Sequence, residues 1–272
     1  MNDFKLEAWK KEMTHYNETP FKDGVTARQS IWKKNKAILW YYQAPVRKYN
    51  VPIFIIYSLI NQPFILDMIT GGSTIEALVK KGFDVYMIDF GKPGLEDRDM
   101  TLDNFITEYI QSGVKQAIKH SGAREMTIFG YCLGGTLAAM YASIAKEPIK
   151  NLVLFVTPVD FSTPSYFDKW VKALREDKWD SSRYIDELGI IPASYVEAGI
   201  RMVTSPIYFT PYLSLLLNRD NKAYVDKWHR FNAWTKGHIP LTGGVAKQII
   251  GDFTKENKLI KNESKINGQE AK

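Results

Sequence analysis

The sequence predicts an α/β fold: a mostly parallel sheet with helices on both faces and a helical cap. Three observations predict it. Between Val51 and Val156, short apolar runs alternate with amphipathic stretches of helical period. Those apolar runs carry hydrophobic residues at consecutive positions, so both faces of each strand need cover, as a central parallel sheet requires. From Thr163 the texture changes to aromatic, proline-punctuated segments (PSYFDKW, SPIYFTPYLSLLL, YVDKWHRFNAW) that read as helices without intervening strands, a cap over the sheet. With 272 residues, 45% of them hydrophobic and 24% charged, the chain is long enough for one large core plus a lid.

Residues 3–13 read as a short amphipathic helix, Ile38 to Tyr42 (ILWYY) as a first strand and VPIFIIY at 51–57 as a second. Ser73 is placed to cap a helix running to Lys81, where Gly82 stops it, and Asp84 to Phe90 is the next strand. Thr101 to Lys119 sets Leu102, Phe105, Ile106, Tyr109, Val114 and Ile118 at helical spacing, with Gly122 as the stop. Met126 to Phe129 is a strand that runs straight into GYCLGG. A helical stretch with Leu137, Met140, Tyr141 and Ile144 follows, then Leu152 to Val156 as another buried strand. This βαβαβαβ order implies right-handed crossovers. A last helix reaches about Asn257, after which the chain turns polar. The expected division is a core with the strand-to-helix turn at 1–162, a helical cap at 163–250 and a polar tail at 251–272.

The run Gly130-Tyr131-Cys132-Leu133-Gly134-Gly135 sits between a buried strand and an amphipathic helix. A nucleophile there is held on a strained turn and projects above the sheet, and glycines two before and two after it are what the turn needs. Gly130 and Gly134 supply them, and Gly135 leaves further bare backbone near the helix N-terminus, where N–H groups favour a thiolate and later an oxyanion. This makes the fold an α/β-hydrolase type with Cys132 as its nucleophile. The competing reading is an ordinary small buried cysteine beside glycines that allow tight packing. The Leu133 N–H is the expected first oxyanion donor, and that of Ile60 or Asn61, in the loop after an earlier strand, the second. Asn61 reads equally as a plain turn residue before Pro63.

Cys132 is the single cysteine, so no internal disulfide framework exists, and four histidines without paired spacing suggest no metal site. The net charge of +6 is spread along the chain, which favours solvated faces over a dedicated surface for an acidic partner such as a phosphorylated cofactor, and no nucleic acid is expected. No apolar run approaches a membrane span and the N-terminus lacks a signal-peptide core, so a cytoplasmic location is expected.

IWKKNKAILWYY, VPIFIIYSLINQPFILDM, KGFDVYMIDFGKPG, IFGYCLGGT, NLVLFVTPVDF and DFTKENKLIK together resemble the catalytic subunit of two-component polyhydroxyalkanoate synthases, of the class III and class IV type. The likeness runs through nearly the whole chain in order. It implies an acyltransferase that polymerises (R)-3-hydroxyacyl-CoA units into polyester through a cysteine falling on Cys132, with the CoA thioester as substrate and no cofactor. It also implies a second synthase subunit and the polyester granule as partners. Thiolate attack on a thioester is close to an even exchange, which suits that chemistry.

The sequence departs from this family in one respect. Such a site also needs a base and a carboxylate to orient it, in the order nucleophile, Asp, His, on loops after strands beyond the cap. The chain lacks those strands and looks C-terminally short of the family. His229 reads as a surface residue of the cap and His238 lies in a Gly-His-Ile-Pro turn. His120 fits a helix C-terminus, and His15 lies in the N-terminal segment. Asp160 as acid, and His238 or His229 as base, are the substitutes that the sequence offers, while Asp89 fixes the Gly91-Lys92-Pro93-Gly94 loop. A sheet cut here would expose a hydrophobic edge. Two other readings stay open: a cysteine-dependent hydrolase acting on esters or thioesters, and a non-catalytic remnant that binds the partner subunit or the granule.

Overall fold

The computed structural model describes residues 24–162, 172, 180–204, 214–215 and 217–271. The expected helix at 3–13, His15 and most of the aromatic segments after Thr163 lie outside the described residues. The main sheet has six strands: β1 (Gln29–Lys34), β2 (Ala37–Tyr42), β3 (Ile53–Ile56), β4 (Val85–Asp89), β5 (Met126–Tyr131) and β6 (Ile149–Phe155), in the order β1-β2-β4-β3-β5-β6. β3 to β6 are parallel, whereas β2 runs antiparallel to both its neighbours, β4 and β1. β1 was not expected: QSIWKK has too few apolar residues for a buried strand, and it is an edge whose outer side faces solvent.

Crossover helices cover the sheet on both faces. Ser73 caps α1 (Thr74–Lys81) by accepting the Glu76 N–H, and Gly82 ends it at φ 101°, as the sequence predicts. This helix covers the face bearing Ile53, Ile55, Tyr57 and Met87. The other face carries Phe54, Ile56, Ile88 and Ile128. It packs on α2 (Gln111–Ser121), on the π-helical turn Phe105–Ile110 that precedes it, and on α3 (Leu133–Ile144). His120 lies in the last turn of α2, hydrogen-bonded to the Tyr86 hydroxyl at 2.8 Å.

Two expectations are corrected, and the tail shows a packing that polarity alone does not reveal. β6 was read as buried, yet Leu152, Val153, Leu154, Phe155 and Val156 are 39–64% exposed, because β6 pairs only with β5 among the described residues. The cap has strands as well as helices. α4 (Ser181–Leu188), α5 (Ala193–Thr204) and α6 (Lys222–Lys236) are joined by the pairing of β7 (Ile190–Ile191) with β8 (Leu241–Thr242). The polar tail folds onto the core. α7 (Gly243–Gln248) runs into a π-helical turn at Ile249–Lys255, and a hairpin follows, β9 (Lys265–Ile266) and β10 (Gln269–Glu270), turning on Asn267 and Gly268, both at positive φ. Phe253 and Ile266 are buried in the main core, and the Asn267 N–H donates to Asp103 Oδ2 at 2.7 Å, so these residues pack on the core.

Candidate active site

At the C-terminal end of β5, Cys132 has φ 53° and ψ −130°, a conformation that costs roughly 1–3 kcal/mol and persists only where the surroundings impose it. They do so from both sides. The Cys132 N–H donates to the Phe155 carbonyl of β6 at 3.0 Å, and the Cys132 carbonyl accepts the Gly135 N–H at 2.8 Å in the first turn of α3. The glycines are sterically required. A Cβ on Gly130 would lie 2.7 Å from that of Ala138, one on Gly134 2.6 Å from the Tyr57 carbonyl group, and one on Gly135 2.8 Å from Thr157 Cβ. The turn therefore locks β5, β3 and the segment after β6 against the start of α3.

Electrostatically the thiol is only half prepared. Burial pushes its pKa up, and a hydrogen bond from the Leu133 N–H opposes this. Leu133 thus presents its backbone N–H to the sulfur. In the loop after β3, the Ile60 N–H donates to Ser58 Oγ at 3.2 Å and is already engaged. Asn61 is buried, and its side chain accepts the Gln62 N–H at 2.7 Å, which leaves its backbone as the better candidate for the second donor.

That loop is clamped by the cap, a feature the sequence does not disclose. Asn61 forms a β-bridge with His238, and the Ile239 N–H donates to the Ile60 carbonyl at 3.1 Å. The indole N–H of Trp234 donates to the Gln62 carbonyl at 3.0 Å. The partners are about 170 residues apart, so no local pattern links them. Tyr57 and Tyr131 stack at 5.4 Å between ring centroids beside the nucleophile, and burial, with the Cys132 charge nearby, pushes both phenols up.

None of the substitutes for acid and base acts on the Cys132 thiol, which answers to burial and the Leu133 N–H among the described residues. His238 sits beside the oxyanion loop, but the charges acting on its ring are Glu197 and Arg201 of α5, and burial pushes its pKa down. Asp160 Oδ1 accepts from the Ser162 N–H and hydroxyl and from Asn257 Nδ2, so it caps a turn and ties it to the π-helical end of α7. His229, expected on the surface, is only 2% exposed, because it shares the inner face of α6 with Val225 and Trp228 at i−4 and i−1. Asp89 holds the following loop as expected, accepting the Gly91 N–H at 3.0 Å. Among the described residues no group of three metal-ligating side chains forms a cluster, and no helix is long and apolar enough to cross a membrane.

Comparison with known proteins agrees with this geometry. The family model described as alpha/beta hydrolase fold matches residues 31–193. The chain is 33% identical over 251 residues to the poly(3-hydroxyalkanoate) polymerase subunit PhaC of Haloferax mediterranei, an overlap of 91% of this chain and 50% of that protein. The proteins of the same name from Synechocystis sp. and Allochromatium vinosum are 31% and 30% identical, with 92% and 91% of this chain aligned to 67% and 70% of theirs. The chain spans about half the length of the first of these relatives and about two thirds of the others.

Proposed function

Starting from the fact that the chain belongs to the PhaC family of poly(3-hydroxyalkanoate) polymerase subunits, within the α/β-hydrolase fold, we propose that it carries the nucleophile half of a polymerase site. That site transfers (R)-3-hydroxyacyl groups from CoA to a growing polyester. The observation that carries the reading is the strained, glycine-walled Cys132 with the Leu133 N–H directed at its sulfur.

In this reaction the Cys132 thiolate attacks the thioester carbonyl. The S–C bond forms, the oxyanion is held by the Leu133 and Asn61 N–H groups, and CoA leaves as the C–S bond to it breaks, taking up the proton that Cys132 lost. The 3-hydroxyl of the next unit or of the chain end then attacks the acyl-cysteine. A C–O bond forms, the C–S bond to Cys132 breaks, and the hydroxyl proton returns to the thiol through a base. Neither that base nor its orienting carboxylate is identified among the described residues, where β6 pairs with β5 alone. We further propose a second synthase subunit and the surface of the polyester granule in the cytoplasm as its working partners.

Incubating the chain with 3-hydroxybutyryl-CoA, with and without a second synthase subunit, tests this. Polymer together with free CoA is the expected product in the complete assembly. Free hydroxy acid without polymer would instead make the protein a hydrolase. No CoA release under either condition would leave a non-catalytic binding chain.

A further inference from the structure

Crossover helices run back against the parallel strands they join, so the ends of α1, α2 and α3 and the segments that lead into β3, β4, β5 and β6 gather at the N-terminal edge of the sheet. The loop after β2 lies there too, because Tyr42 pairs with Val85 at the start of β4. Cys132 stands at the opposite edge. Charges that are scattered along the sequence meet at the N-terminal one. The loop after β2 brings Arg47 and Lys48, and the end of α1 brings Lys80 and Lys81. Lys119 and Arg124 come from the end of α2 and the segment after it, Lys146 and Lys150 from the entry to β6, and all of these side chains are exposed.

Few carboxylates oppose them. Asp84, Glu125 and Glu147 on the same connections are each held in an ion pair, with Arg47 at 3.4 Å, Lys150 at 3.3 Å and Lys115 at 3.4 Å. Lys80 pairs with Glu76 at 2.6 Å. Lys48, Lys81, Lys119, Arg124 and Lys146 make no ion pair among the described residues. At the other edge, by contrast, the loop after β4 sets Glu96, Asp97 and Asp99 beside Lys92 and Arg98. Cations in a last helical turn answer the negative end of the helix dipole, which accounts for Lys80, Lys81 and Lys119. Arg47, Lys48, Arg124, Lys146 and Lys150 lie outside any helix and have no such reason. Segments entering adjacent strands are about 4.8 Å apart, within the screening length of about 8 Å at physiological salt. The unpaired charges therefore act on a partner as one field.

Apolar side chains stand among these cations. Val46 and Tyr49, which flank Arg47 and Lys48, are 67% and 47% exposed, and the Tyr49 ring is held by stacking on Phe83 at 4.1 Å between centroids. An exposed valine and a fixed aromatic ring beside basic residues suit a layer that is anionic at its surface and apolar beneath. We propose that this edge docks the molecule on an anionic phospholipid layer, with Val46 and Tyr49 entering the head-group region and Cys132 turned away from it. The inference is independent of the reaction assigned to Cys132.

Co-sedimentation of the whole chain is measured with vesicles of phosphatidylcholine alone and of phosphatidylcholine with about one third phosphatidylglycerol, at low and at physiological salt. Wild type is compared with an edge variant, Lys48→Glu with Lys81→Glu and Arg124→Glu, and with its neutral counterpart, Lys48→Gln with Lys81→Gln and Arg124→Gln. A control, Lys33→Glu with Lys92→Glu and Lys236→Glu, changes the net charge equally at exposed positions away from this edge. Expected is binding to the anionic vesicles alone, weaker at the higher salt, with affinity lowered at least about tenfold in the glutamate edge variant, at least about threefold in the glutamine one and less than threefold in the control. Cooperative thermal unfolding shows which variants are folded, and the glutamine variant decides if the glutamate one is not. Equal weakening in the edge and control variants, equal binding to neutral vesicles, or no vesicle binding by wild type overturns the assignment. Tighter binding to a DNA duplex than to the anionic vesicles at the same salt overturns it too, and makes the edge a nucleic-acid surface.

Discussion

β3 and β6 look alike in sequence and differ in the folded molecule. Both are short runs with apolar residues at consecutive positions, IFII and NLVLF, and that pattern promises burial on both faces. In β3 the promise holds: Phe54, Ile55 and Ile56 are 0% exposed, between β4 and β5 and under helices on both sides. In β6, Leu154 and Phe155 are 42% and 52% exposed. A strand's composition states what cover it requires, and its place in the sheet decides whether that cover is present. The nucleophile stands between the two strands, its turn packed against β3 and hydrogen-bonded to β6. The proposed oxyanion donors, Leu133 and Asn61, lie on the turn and on the loop after β3.

The comparison can be broken most sharply in the core. Phe54→Ala should cost about 3–5 kcal/mol in denaturant unfolding, whereas Leu154→Ala in β6 should stay within about 0.5 kcal/mol, the range of surface changes. Equal losses would mean that β6 is covered in solution. Gly134→Ala tests the joint between β3 and the elbow. Its new Cβ would meet the Tyr57 carbonyl, so a loss of about 1–3 kcal/mol is expected, together with slower alkylation of Cys132. Placing charge on the open edge, with Leu152→Lys and Leu154→Lys together, should leave stability almost unchanged and reduce light scattering from concentrated protein.

The smallest effect expected is in pH dependence. Burial disfavours the Cys132 thiolate, so alkylation by iodoacetamide should rise with pH through a midpoint above the ordinary thiol value of about 8.5. The linkage has the matching sign. With the folded pKa raised, the contribution of this group to stability is full below the unfolded value and is lost as pH rises through the folded one. A midpoint below 8 would show a cation or base beside the sulfur and contradict the half-prepared site.

Much of this was legible locally. Ser73 and Gly82 mark both ends of α1, and Gly122 ends α2 at φ 65°, because caps are chemistry between near neighbours. The elbow was readable for the same reason, since its glycines and strand-to-helix position lie within a few residues. The covered inner face of α6 was present as Val225, Trp228 and His229 at helical spacing, but Lys227 and Arg230 interleaved with them suggest a surface. The Asn267-Gly268 pair signalled a hairpin that the surrounding polarity hid. What sequence cannot show is long-range pairing. The clamping of the Asn61 loop by Trp234 and the His238 bridge, the Tyr57–Tyr131 stack, and the exposure of β6 depend on which elements become neighbours and carry no local signature.

The central claim is that Cys132 accepts the acyl group. Its most direct test is intact and peptide-level mass spectrometry of the chain after incubation with 3-hydroxybutyryl-CoA. One 3-hydroxybutyryl group on the peptide bearing Cys132, absent in Cys132→Ala, is the predicted result. Acyl label on another residue, or CoA release undiminished by Cys132→Ala, would contradict it.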